Sequence, residues 1–449
     1  MSAAPAFSKA PLPDELVRPP IPETLEEIGL SAEFILDLLI KVLYVQGART
    51  GQQIMDVVKL PFQIVDDQLL DLQQRRMVEV RGTTGHSRGG YMFDLTGAGR
   101  ERARDALMSG QYVGPAPVPL KVFVEWTHRQ SLRHVRVSRE MVEEGFKALV
   151  LDPKVFDILG PAINSARSLF LYGAPGNGKT YIAETISHLL GGALYIPYAL
   201  EVDGQILVLF DPVHHTPEPE PELQNPPAGT DPNWLRTAEP YDRRFIRIRR
   251  PVVITGGELT LDQLDLQYDH HTKMYQAPFQ MKANGGVLIV DDFGRQRVPS
   301  RDLLNRWIVP LEKRIDFLTL HTGGKFAVPF ECLLIFSTNL APKDLVEEAF
   351  MRRIHYKINV LGPTPELYVE IFRRCAAERR IAFGAWAVLQ VYEEFYQRLG
   401  IEPRACHPRD ILDHFLDFAR FLDAPTALTP ELLDRACRSY FLDDTAGNT

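Results

Sequence analysis

Leu169-Phe-Leu-Tyr-Gly-Ala-Pro-Gly-Asn-Gly-Lys-Thr180 is the stretch on which the reading of this chain turns. Its four leading apolar and aromatic residues predict a short buried strand. A glycine-punctuated turn follows, and Tyr181 to Leu190 then carries apolar residues at helical spacing. Strand, turn and helix in that order are the setting of the pattern G-x-x-x-x-G-K-[ST], met here by Gly173, Gly178, Lys179 and Thr180. Glycines at these places let backbone N–H groups close around phosphate oxygens. The N-terminus of the following helix turns the positive end of its dipole toward the same charge. Gly173, Ala174, Pro175, Gly176, Asn177, Gly178, Lys179 and Thr180 are therefore the candidate nucleotide-binding residues. Lys179 is expected to reach the β- and γ-phosphates of ATP, and Thr180 to ligate Mg2+.

Downstream, Val287-Leu-Ile-Val290 reads as a second buried strand and ends in Asp291-Asp292. A carboxylate at the C-terminal end of a parallel strand stands where such sheets bind ligands. Asp291 is the candidate magnesium residue, directly or through water, and Asp292 the group that polarises the attacking water. A third strand, Leu333 to Thr338, ends in Asn339, an uncharged amide able to orient water against a γ-phosphate. Arg352 and Arg353 follow, then Arg409 in His407-Pro-Arg409-Asp410. Each arginine alone reads more readily as a surface salt-bridge partner; their order after the strands makes them catalytic candidates.

The alternation of apolar strands with helical patterns between 136 and 361 predicts an α/β core with a parallel sheet covered by helices. Residues 362–449 read as helical throughout, a lid. Within the core, 199–250 is an insertion. It opens with two apolar runs around Asp203-Gly204, a hairpin signal, and continues into Thr216 to Trp234, too polar and proline-rich to pack. Upstream, 1–21 reads as a disordered leader and 114–135 as a linker, its proline-rich start extended. Between them, 22–113 holds three helices, two strand-like pieces flanking a Gly/Ser tip (82–90) and a closing helix. That order resembles a winged helix-turn-helix domain.

The composition, 45% hydrophobic and 24% charged, is that of an ordinary globular chain, and no apolar run approaches the ~20 residues that span a bilayer. No signal peptide is evident, so the expected location is cytoplasmic. Cys332, Cys375, Cys406 and Cys437 lack metal-ligand spacing and read as buried thiols of a reducing compartment. The pairs His214-His215 and His270-His271 have no ligand triad beside them and read as loop histidines. Tyr268, Met274 and Tyr275 either grip a client or pack the insertion. Net charge is −8, and 22–113 holds thirteen acidic against ten basic residues. The third helix carries Asp66, Asp67 and Asp71, so a DNA groove is a poor partner for it and a protein the better one.

Taken together these features resemble an AAA+ ATPase over about 136–442. The resemblance makes Asn339 the sensor-1 residue, Arg352 or Arg353 the arginine finger, and Arg409 the sensor-2 arginine on the helical lid. Gly257-Glu-Leu-Thr-Leu through Asp292 is similar to the segment before the second acidic motif in sigma-54 activators and MoxR-type ATPases, where an insert touches the client. The implied function is that of a homo-oligomeric ring, such as a hexamer, that hydrolyses ATP and remodels a protein partner, with no membrane insertion. The alternatives are an ATP-controlled DNA-binding regulator and an ATP-loaded scaffold. Two departures stand out. Asp292 replaces the family's usual Glu, and Gln267 to Met274 replaces the activators' client-contacting loop.

Overall fold

The computed structural model describes residues 18–441, apart from 86, 220–240 and 342–350. Most of the leader, much of the proline-rich loop and the approach to Arg352 therefore lie outside the described residues.

After a single turn, α1 (Leu25–Ile28), Ser31 caps α2 (Ala32–Gln46) by accepting from the Phe34 amide. Strand β1 (Arg49–Thr50) leads into α3 (Gly51–Val58), where Thr50 and Gln53 close a capping box. Pro61 then opens α4 (Phe62–Gln74). Strands β2 (Val78–Thr83) and β3 (Tyr91–Leu95) form the expected hairpin, and β1 adds to it in the order β1-β3-β2. Helix α5 (Gly97–Ser109) closes the unit. Ile35, Leu39, Ile54, Val58, Leu69 and Phe93 form its core.

The 114–135 stretch is more ordered than a linker. Strand β4 (Val118–Pro119) pairs with the insertion, and α6 (Leu120–Arg129) buries Phe123 and Trp126. Trp126 meets the Phe245 ring edge-on at 5.9 Å. The apolar stretch behind the prolines reads as linker because periodicity cannot show what it packs on.

Helices α7 (Arg139–Gly145) and α8 (Pro153–Ser165) precede the core strand β5 (Leu169–Tyr172) and helix α9 (Lys179–Leu190). Strand β6 (Ala193–Pro197) follows, and the insertion contributes β7 (Ala199–Val202), β8 (Gln205–Val208) and β9 (Phe245–Arg249). Asp203 and Gly204 turn the β7–β8 hairpin with φ of 50° and 77°, the two positive angles of the turn that the sequence predicts. Then come β10 (Val252–Thr255), β11 (Gln267–Asp269), β12 (Met274–Gln276), the short α10 (Phe279–Lys282) and β13 (Val287–Val290). Helix α11 (Ser300–Lys313), the hairpin β14 (Ile315–Thr319) and β15 (Lys325–Pro329), β16 (Leu333–Thr338) and β17 (Tyr356–Asn359) complete the core. The lid is α12 (Pro365–Glu378), α13 (Ala385–Val391) running into a π-helical stretch Tyr392–Gln397, α14 (His407–Phe421) and α15 (Pro430–Tyr440).

The central sheet runs β10-β13-β16-β5-β17, every pair parallel. One apolar layer built on Leu169, Leu171 and Ile335 covers one face, and a second built on Phe170, Leu288 and Phe336 covers the other. Successive strand residues thus feed opposite layers, and the strands are buried throughout.

A second sheet, β11-β12-β8-β7-β4, is built on the insertion's β7–β8 hairpin, with β4 added from upstream and β11 and β12 from downstream. Against it the N-terminal unit is docked, with Ala199 and Ile206 buried in that unit's own core. Arg243 meets Asp56 at 3.1 Å, and Gln111 donates its amide to Thr272 O at 2.9 Å. Arg244, buried and paired with Asp242 at 2.8 Å, donates to Ile28 O at 2.9 Å. Tyr275 is buried, Tyr268 stacks on His321 at 4.0 Å, and Met274 packs against the N-terminal core. In this arrangement all three pack the insertion.

Candidate nucleotide site

The C-terminal ends of β5, β13 and β16 converge on one place. Gly178 caps α9 with φ of 85°, and Gly173 and Gly176 also hold positive φ, 134° and 83°. A side chain at Gly173 would sit 2.5 Å from Val360 O, and one at Gly176 would sit 2.4 Å from Cys406 Sγ. Both angle and space require glycine. Asn177 ties the loop down: its Nδ2 donates to Val360 O at 3.3 Å and its Oδ1 accepts the Ala405 amide at 3.2 Å.

Lys179 is buried, and its ammonium donates to Gly173 O at 3.0 Å, Ala174 O at 2.9 Å and Asn339 Oδ1 at 2.7 Å. Burial lowers its pKa below the usual lysine value, Arg404 adds to that, and Asp291 and Asp292 oppose it. A buried cation held by three neutral oxygens suits an anionic ligand that would supply the missing charge. Thr180 Oγ1 donates to Asp291 Oδ2 at 2.8 Å, bringing together the two oxygens expected at magnesium. These hard oxygen donors fit that ion, which takes few protein ligands and leaves the rest to water and phosphate.

Asp292 stands one step beyond the strand in a left-handed conformation, φ 47°, with its amide on Asp291 Oδ1 at 3.0 Å. Asn339 Nδ2 donates to Asp292 Oδ1 at 3.2 Å. One amide therefore links Lys179 to Asp292, and strain of this kind clusters at functional sites.

The three expected arginines are not part of this convergence. Arg409 pairs with its neighbour Asp410 at 2.9 Å and is largely exposed. Arg352 and Arg353 precede β17, at the end where β5 begins, and Arg353 meets Glu312 at 2.5 Å. Six residues, four of them in β17, separate Arg353 from Val360 beside the loop, so the whole length of the strand lies between them. Arg404 takes the place instead. The lid enters the loop here, with the Cys406 amide donating to Gly176 O at 2.9 Å. Arg404 Cδ is 3.7 Å from where a Gly176 Cβ would stand. Among the described residues its guanidinium has no carboxylate partner. The pattern Pro403-Arg404 before the helical run was the available signal. Reading the helix from Asp410 hid it, because α14 begins at His407.

No cluster of three ligating side chains occurs among the described residues, at the histidine pairs or elsewhere. His215 is buried, accepting the Asp211 amide on Nδ1 at 2.9 Å with Nε2 on Lys282 O at 2.9 Å. It is a packing residue more than a loop histidine. All four cysteines are free thiols, Cys332 and Cys437 buried as expected and Cys375 and Cys406 only half-buried. No helix among the described residues is long and apolar enough to cross a membrane.

A domain of unknown function, DUF8689, matches residues 364–439, the lid. No curated protein matches the chain. Among solved structures, the RuvB Holliday junction branch migration motor of Thermotoga maritima is similar at 14% identity and TM-score 0.36, covering 66% of this chain and 71% of that one. NtrX from Brucella abortus is similar at 13% identity and TM-score 0.36, over 77% and 61%. NtrX in complex with ADP is similar at 14% and 0.35, over 74% and 64%. Likenesses this distant say nothing of function. The strand order, the loop and the helical lid carry the architecture, which is the P-loop fold of AAA+ type.

Proposed function

We propose that the chain, with its AAA+ P-loop core, binds and hydrolyses ATP and uses the cycle to remodel a protein partner from within a homo-oligomeric ring. The observation that carries the reading is the linkage of Lys179, Asn339 and Asp292 beside the Thr180–Asp291 pair. The loop amides and Lys179 bind the phosphates. Thr180 and Asp291 would hold magnesium, which when bound draws charge from the phosphate oxygens. Asp292 accepts a proton from the attacking water while Asn339 keeps that carboxylate oriented. Arg404 or Arg409 would supply positive charge from the lid, and Arg352 or Arg353 from a neighbouring subunit.

A protein partner is favoured over DNA by how the N-terminal arginines are used. Arg88 pairs with Asp66 at 2.7 Å, Arg75 with Asp71 at 2.8 Å, and Arg81 with Asp94 at 2.9 Å. Cations neutralised by their own domain release little counterion on DNA. Phosphate release by purified chain, with and without magnesium, tests the enzyme reading. Asp292→Asn should keep ATP affinity and lose ~10²–10⁴-fold in turnover. Wild-type turnover in that variant would remove Asp292 from the mechanism. An ATP-loaded Asp292→Asn chain should retain a protein in pull-downs that Lys179→Ala does not.

A further inference from the structure

Asp292 carries its carboxylate on a single methylene, so the main chain decides where those oxygens stand. That main chain is left-handed, at φ of 47°. Aspartate tolerates the region better than most residues, but a non-glycine residue is held there only where its surroundings over-determine it. One side of the hold comes from β16. The Phe293 amide donates to Ser337 O at 2.7 Å, and Thr338 Oγ1 donates to Phe293 O at 2.6 Å. Asn339, next in line, reaches the carboxylate itself.

The other side comes from one half-buried side chain, Gln296. Its Oε1 accepts the Gly294 amide at 2.7 Å. Its Nε2 faces three carbonyls: Asp291 O at 3.2 Å, Asp292 O at 3.3 Å and Gly256 O at 3.4 Å. A main-chain N–H can only donate and a carbonyl can only accept, so the carboxamide fits this arrangement in one orientation. Gly256 directly follows β10, the strand paired with β13. The carboxamide thus spans the turn from Gly294 back to both acids and anchors it to the neighbouring strand. A lysine or arginine donating to the same carbonyls would set a charge beside Asp292; the neutral amide does not. Among the described residues its hydrogen bonds go to main chain alone. Asp291 has other supports, its own amide on Thr255 O at 2.8 Å and its carboxylate on Thr180. Asp292 is the residue that depends on the clamp.

We propose that Gln296 is a positioning residue for hydrolysis: it fixes the main chain of Asp292 so that this short carboxylate meets the attacking water. The proposal rests on the ATPase reading above and adds to it a group outside the phosphate loop and the acids themselves.

Phosphate release and calorimetric ATP affinity, both measured on the full chain, test it. Gln296→Ala removes both ends of the clamp. Gln296→Glu keeps the acceptor for Gly294 and replaces the donor by an oxygen facing three others. A misplacement of ~1 Å can cost ~10²-fold in rate, so both should lower kcat at least about tenfold. ATP affinity should stay within about threefold of wild type, because the phosphate loop is untouched. Circular dichroism checks folding, and the near-isosteric Gln296→Glu decides if Gln296→Ala is not folded. In an Asp292→Asn background, Gln296→Ala should cost less than about threefold more, since the carboxylate it positions is already gone. A further tenfold loss there would mean that Gln296 acts other than through Asp292, and would overturn the proposal. So would wild-type kcat in both single variants, or a fall in ATP affinity as large as the fall in kcat, the mark of a merely structural role. A wild-type chain without magnesium-dependent phosphate release ends the ATPase reading itself, whereas normal wild-type turnover with indifferent Gln296 variants ends this proposal alone.

Discussion

Lys179 donates to three neutral oxygens that an incoming phosphate can replace, so its charge has little use in the fold beyond the ligand. Lys179→Ala should therefore remove ATP binding, at least ~100-fold in affinity, with the chain still folded; calorimetry showing wild-type affinity would refute the P-loop assignment. His215 offers a test of a different kind. Burial holds its pKa down to about 4, below the ~6.5 of an exposed imidazole, so the fold binds the neutral ring. Its contribution is complete above ~6.5 and is lost as pH falls toward 4, because the unfolded chain takes up the proton first. About 2 kcal/mol should go between pH 7 and pH 5 from this residue. Urea unfolding at the two pH values should show His215→Gln losing correspondingly less than wild type. An equal loss in both would mean that the buried ring is not the group responsible.

At the scale of elements, the parallel alignment of β17 with β5 separates the two ends of the chemistry. Strand tops carry Lys179, Asp291, Asp292 and Asn339; the strand bottoms carry Arg352 and Arg353. An arginine at the opposite end of the strand from its own loop can serve a nucleotide only on another copy. Of the two, Arg352 is the more exposed and Arg353 is tied to Glu312. Arg352→Ala should keep ATP affinity and lose ~10³-fold or more in turnover. Mixing it with Lys179→Ala should restore part of the rate, since the defects fall on different faces of one interface. No recovery in a preparation proven to exchange subunits would count against a shared site. Helix α4 and the hairpin make their own prediction. With Arg88 and Arg75 paired to α4 carboxylates, the full chain should bind duplex DNA only weakly at about 150 mM salt. Submicromolar, sequence-selective anisotropy would favour the regulator reading.

For the whole molecule, the N-terminal unit and the insertion share a core. A tethered partner-selecting domain could be cut away without cost to the ATPase, as the linker reading implied. Docked as it is, its removal bares Ala199 and Ile206 and breaks the Arg243–Asp56 and Arg244–Ile28 contacts. Re-exposing Ile206 alone costs roughly 2 kcal/mol. A chain starting at residue 114 should melt several degrees below the full protein and hydrolyse ATP less well. Equal melting temperatures would show that the docking contributes no stability. Movement of the insertion on nucleotide binding would also carry the N-terminal unit with it, as one block.

The amino-acid sequence by itself determined whatever rests on neighbours along the chain. The Gly173–Thr180 loop, the acidic end of β13, Asn339 after β16, and the Asp203-Gly204 turn are short patterns whose backbone demands are local. The helices, hairpin and closing helix of the N-terminal unit were legible for the same reason. Only the tertiary structure decided which arginine stands where. Arg404 rather than Arg409 lies at the loop because α14 starts three residues earlier than its apolar pattern suggests, and a lid docked through Cys406 on Gly176 involves partners 230 residues apart. The helix of 120–129 and the shared core around Ile206 are likewise non-local. Each gathers side chains from separate segments, and their common surroundings exist only once the chain has packed.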